Sequence, residues 1–167
     1  DHTDPQWQPA EIKDVSYGYI AGPTHKRDID ALKGVQRKID ILSPTYFRAK
    51  LQSKSTFPYT PQDKYGYLYN KFSVSLAPIY PTEFSSLKSD IKAVEAGFKK
   101  RMLVASNHHP YLDNPNIKTA ETYTEWNKIA KLTKPEVEDW AAKLHEWATT
   151  HRKLEEVNKI RTQLLST

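Results

Sequence analysis

The sequence has no cysteine and one methionine in 167 residues. That excludes a disulfide scaffold, a thiolate metal site and thiol catalysis. Glycine is scarce too, five residues in scattered positions, so no glycine-rich phosphate loop precedes a helical stretch. Neither a Gly-x-Ser-x-Gly elbow nor a His-Glu-x-x-His pair occurs. No apolar run approaches the roughly 18 residues of a membrane-spanning helix. The chain opens on Asp1 rather than Met and shows no signal segment, so a processed protein or a fragment is expected, soluble and of unknown compartment.

Aromatic side chains are what the sequence does have: four Trp, ten Tyr and five Phe. They carry enough apolar area in few positions to expect a folded chain rather than disorder. Lys and Arg number 25 against 20 Asp and Glu, a net charge of +5. The excess is local. Residues 26–54 hold eight basic and three acidic side chains, and Lys99-Lys100-Arg101 forms a second cluster. Lys33, Arg37, Lys38, Arg48, Lys50, Lys54, Lys99, Lys100 and Arg101 are therefore the candidate anion or nucleic-acid contacts.

The patterning predicts an all-α protein, an irregular four- or five-helix bundle with a long C-terminal helix and an extended aromatic N-terminal arm. Pro5, Pro9, Gly18, Gly22 and Pro23 break any helical period in residues 1–23, which read as the arm. A short strand at Val15–Tyr19 is the alternative there. Residues 24–167 read as the helical domain. Ile29, Leu32, Val35, Ile39 and Leu42 predict a helix from about Thr24 to Leu42, and Ser43-Pro44 ends it. Thr60 to Tyr80 supports either a helix, with Tyr65, Leu68, Tyr69, Phe72 and Leu76 on one face, or a strand, with Phe72, Val74 and Leu76 alternating with serines. Phe84, Leu87, Ile91, Val94, Phe98 and Met102 step by three and four, predicting a seam-bearing helix. Residues 105–121 read as a long link.

Thr122 with Glu125, and Thr133 with Glu136, read as capping boxes. From there nothing breaks the helix to about Leu165. Its predicted seam is Val137, Trp140, Leu144, Trp147, His151 and Leu154, then Val157, Ile160 and Leu164.

No constellation carries obvious chemistry. His108, His109 and Asp113 are the local metal-like group, but adjacent histidines diverge on most backbones, so they read as exposed loop residues. His145 and His151 fall on different helix faces. No metal or cofactor is expected. Six tyrosines fall between residues 46 and 80, interleaved with Lys and Arg. Such a pattern suits a protein interface, and bases can also stack on it. Trp7, Tyr17, Tyr19, Tyr65, Tyr67, Tyr69, Trp147 and His151 are the candidate interface residues. The functional expectation is a non-catalytic structural or accessory subunit in a homo- or hetero-oligomeric assembly. The alternative is a basic protein that binds or coats DNA or another nucleic acid, as a virion coat subunit does.

Overall fold

A computed structural model describes residues 4–151. Its centre is a six-stranded parallel sheet, which overturns the all-α bundle. The strands are β1 (Tyr17–Gly18), β2 (Ile41–Pro44), β3 (Thr56–Phe57), β4 (Val74–Ala77), β5 (Met102–Ser106) and β6 (Lys118–Ala120). Their spatial order is β3-β2-β1-β4-β5-β6. The chain starts in the middle, winds outward through β2 and β3, then crosses back to β4 and winds outward the other way. Tyr17 is in register with both Ile41 and Val74, and Val74 with Met102. The segment expected as an arm therefore supplies the inner strand β1.

Side chains of successive residues leave a strand on opposite faces, and both faces here are covered. Val74, Leu76, Met102 and Val104 pack with Leu32, Val35, Trp126, Ile129, Val137 and Ala141. Leu103 and Ala105 pack on the other side with Leu68, Tyr69, Phe72, Ala93, Ala96 and Leu144. Every residue of β4 and β5 is buried, as parallel strands between two layers require.

Three of the four described α-helices are short. The four are α1 (Arg48–Leu51), α2 (Ile91–Phe98), α3 (Tyr123–Lys128) and α4 (Lys134–His151). The stretch expected as one helix from Thr24 holds two 3-10 turns, Asp28–Leu32 and Val35–Arg37, followed by β2. Gly34 separates the turns at φ 95°, in the left-handed region, and the Tyr123 ring lies where a Cβ would stand. Between Thr60 and Tyr80 both readings are realised in succession, a 3-10 helix over Gln62–Lys71 and then β4.

The seam expected from Phe84 to Met102 divides into a turn at Phe84–Leu87, α2 and β5. Phe84 and Leu87 are 74% and 80% exposed, so they belong to no seam. The buried stripe of α4 is Val137, Ala141, Leu144 and Ala148. Trp140 and Trp147 flank it half-buried, and His151 is exposed. A small residue stands at Ala148 because α2 crosses closely there: a Cβ on Gly97 would sit 2.5 Å from the Ala148 Cβ. The later seam positions Leu154, Val157, Ile160 and Leu164 lie outside the described residues. No described helix is long and apolar enough to cross a membrane.

Candidate ligand-binding cleft

Strand order reverses between β1 and β4, and their carboxyl ends lie side by side. In open α/β sheets this is where connecting loops diverge and leave a crevice. A cleft of about 790 Å³ opens there, lined by residues drawn from the stretches 19–28, 76–80 and 82–92, with Tyr65 and Tyr111. Tyr19, Ile20, Leu76, Ala77, Ile79 and Tyr111 give it an apolar floor. Four basic side chains, Lys26, Arg27, Lys88 and Lys92, line it against a single acid, Asp28.

The loop after β1 leaves the sheet at Gly18, where a Cβ would come within 2.1 Å of the Phe72 ring. It is fastened from outside by two side chains near α1. The Tyr46 hydroxyl donates to the Ala21 carbonyl and Lys50 Nζ donates to the Lys26 carbonyl. Its far end is Asp28, 7% exposed. Asp28 Oδ1 accepts the backbone N–H of Tyr80 at 2.8 Å. Its Oδ2 lies 2.6 Å from His25 Nδ1 and 3.5 Å from Lys88 Nζ. One carboxylate thus joins the loop after β1 to the loop after β4. Burial pushes its pKa up, but the His25 and Tyr80 bonds and the Lys88 charge outweigh that and hold it below the usual value.

The opposite wall is the turn at Phe84–Leu87 and the start of α2. Thr82 and Ser85 bond reciprocally, each backbone N–H to the other's hydroxyl, at 2.8 and 3.0 Å. Ser85 Oγ is also 3.0 Å from His108 Nε2, which ties in the loop after β5. Lys92 reaches Glu95 Oε2 at 2.8 Å and the Tyr65 hydroxyl at 2.5 Å. Burial opposes its charge, yet the Glu95 carboxylate and Tyr65 raise its pKa. The Tyr69 hydroxyl donates to the same Glu95 oxygen at 2.7 Å, and burial first, then Glu95, lifts its pKa well above the ordinary value.

Of the residues singled out from sequence, Tyr19 and Tyr65 line this cleft. Tyr17 and Tyr69 are core residues, and Trp7 leans on Tyr69 with ring centroids 6.2 Å apart. Tyr67 is exposed. Lys33, Arg37, Lys38, Arg48, Lys50, Lys54 and Lys100 are exposed, and Lys33 and Lys50 both pair with Asp30. Lys99 and Arg101 are 2% and 1% exposed. Their charges are spent on main-chain carbonyls: Lys99 on that of Gln8, Arg101 on those of Tyr69, Ala10 and Glu11.

The cleft residues His25, Asp28, Lys88 and Lys92 were not among the sequence candidates. The signal for the first two was the alternation at Val15–Tyr19 followed by the polar run Thr24–Asp28, a strand and the loop at its carboxyl end. Among the described residues no group of three His, Asp or Glu could hold a metal ion.

Fold and cleft together define the class: a Rossmann-like α/β domain with its crevice at the strand-order reversal. Particular solved structures share the fold. The crystal structure of TarM superposes with a TM-score of 0.68 at 14% identity, over 96% of this chain and 37% of that one. WaaG, a glycosyltransferase involved in lipopolysaccharide biosynthesis, gives 0.64 at 13% identity, over 90% and 46%. The C-terminal domain of a glycosyl transferase group 1 family protein from Francisella tularensis gives 0.55 at 14% identity, over 90% and 93%.

The chain spans less than half the length of TarM and WaaG. No protein-family description and no curated protein matches the sequence.

These findings overturn the expected non-catalytic structural subunit, its virion-coat alternative, and the argument against an enzyme. That reading rested on a helical bundle and on missing sequence motifs. The chain instead folds around a six-stranded parallel sheet.

Proposed function

We propose that this chain is the donor-binding part of a glycosyltransferase and that its cleft takes a nucleoside diphosphate sugar. The carrying observation is the cationic cleft at the reversal of the sheet, in a fold shared with proteins described as glycosyltransferases. One TarM crystal, from S. aureus, also contains UDP. Transfer breaks the bond between the sugar's anomeric carbon and a diphosphate oxygen, so negative charge grows on the leaving diphosphate. Arg27, Lys88 and Lys92 line the cleft where that charge would lie. The start of α2, with its positive dipole end, lines it too. The apolar floor and the tyrosines suit the base and ribose.

Calorimetric titration of the full chain with UDP, GDP and ADP tests this. At least one should bind, with a Kd of about 10 μM to 1 mM, and affinity should fall as salt rises. Lys88→Met should lower diphosphate affinity about tenfold and leave the affinity for the bare nucleoside unchanged. Absence of binding by all three at millimolar concentration overturns the reading.

A further inference from the structure

Asp28 does more than brace the cleft. An ionised carboxylate offers lone pairs and no proton, so the ring nitrogen facing it must carry the hydrogen. The 2.6 Å contact between Asp28 Oδ2 and His25 Nδ1 therefore requires a hydrogen on Nδ1. Nε2 is left free: among the described residues it has no hydrogen-bond partner. The side chain is 34% exposed and belongs to the lining of the cleft. The other titratable groups that line the cleft are Lys26, Arg27 and Asp28 on its own loop, with Lys88, Lys92, Tyr19, Tyr65, Tyr80 and Tyr111. Asp28 is the one acid among them.

A phosphate oxygen brings no proton to Nε2. A ring with its hydrogen on Nδ1 alone can bond such an oxygen only by gaining a proton from solvent, becoming an imidazolium held between carboxylate and phosphate. We infer that His25 takes up a proton at Nε2 when a nucleoside diphosphate enters the cleft and donates it in a hydrogen bond to a phosphate oxygen. Asp28 is the positioning residue that orients the ring and balances its new charge. This rests on the donor-site reading above and adds to it a proton that accompanies the ligand.

The test is titration of the full chain with UDP, GDP and ADP in two buffers of different ionisation enthalpy at pH 7.5, which counts protons taken up on binding. Wild type should take up a measurable fraction of a proton with the diphosphate and none with the bare nucleoside. Asp28→Asn should abolish the uptake and weaken diphosphate binding about tenfold. His25→Gln leaves the Asp28–Tyr80 link in place, so it serves if Asp28→Asn fails to fold, and it should abolish the uptake as well. Nitrogen-15 spectra of the His25 ring should show a hydrogen on Nδ1 alone in the free chain and on both nitrogens in the complex. Diphosphate binding without proton uptake, or uptake that survives His25→Gln, overturns the assignment alone. No binding by wild type overturns the donor-site reading and this inference with it.

Discussion

Arg101 Nε donates to the Tyr69 carbonyl at 2.7 Å, inside the protein and paired with no carboxylate among the described residues. The same guanidinium reaches back to Ala10 at 2.7 Å and Glu11 at 3.3 Å. A buried cation is thus satisfied by main-chain oxygens, and the segment before β1 is fastened to the sheet through it. Arg101→Leu would strand those carbonyls in a dry site. A loss of about 2–4 kcal/mol is expected in urea denaturation. Hydrogen exchange should speed up over residues 8–12 before it does elsewhere.

Lys99 makes the companion contact, with Nζ 2.6 Å from the Gln8 carbonyl. Burial, and then the Arg101 charge, push its pKa down to about 8 from 10.5. The unfolded chain therefore holds this proton more tightly than the folded one. Between about pH 8 and 10 stability should rise with pH, by at most ~1.4 kcal/mol per unit. Denaturant midpoints measured across that window should climb in wild type and stay flat in Lys99→Met.

Tyr19 presents a buried hydroxyl with no hydrogen-bond partner among the described residues. Burial, with the Asp28 charge next, raises its pKa far above the usual value. Removing an unsatisfied hydroxyl relieves its desolvation cost, so Tyr19→Phe should match wild type or gain about 1 kcal/mol. Thermal unfolding reads this directly, and a loss above ~1 kcal/mol would show that the hydroxyl is bonded in solution.

Gly97→Ala sets two effects against each other. Alanine favours the helix by about 1 kcal/mol. The added methyl would meet the Ala148 Cβ at 2.5 Å and the Leu144 carbonyl at 2.9 Å, forcing α2 and α4 apart. Overpacking of this kind costs about 1–3 kcal/mol, and backbone cannot swing away as a flexible side chain can. A net fall in Tm is expected, and the double variant Gly97→Ala with Ala148→Gly should recover part of it.

Local chemistry was legible in the sequence and tertiary chemistry was not. The capping box of Thr122 and Glu125 forms as read, with Glu125 Nα–H to Thr122 Oγ1 at 3.2 Å and the Glu125 carboxylate on the Thr122 N–H at 2.9 Å. Everything it needs lies within four residues. Strand β5 was hidden because Met102-Leu103-Val104-Ala105 is buried on both faces and shows no alternation. Met102 also completes a helical step from Phe98, so the seam ran straight through the true boundary. β1 is two residues long, and the brief alternation over Val15–Tyr19 that marks it was outweighed by the prolines and glycines around it. In the cleft, His25 and Asp28 are neighbours in sequence, but only the return of the chain through β4 brings Tyr80 and Lys88 to them. Lys99 and Arg101 looked like a surface cluster because sequence shows charge and not the carbonyls that absorb it.

The bond from Tyr80 to Asp28 also bears on how quickly a ligand can arrive. Because that link already holds the two rims in register, an incoming anion has no loop to order before it seats. Association should then be a single bimolecular phase, accelerated by the surrounding lysines and slowed by added salt. Cutting the link should show first as a slow second phase in stopped-flow traces, before any change in the final amplitude.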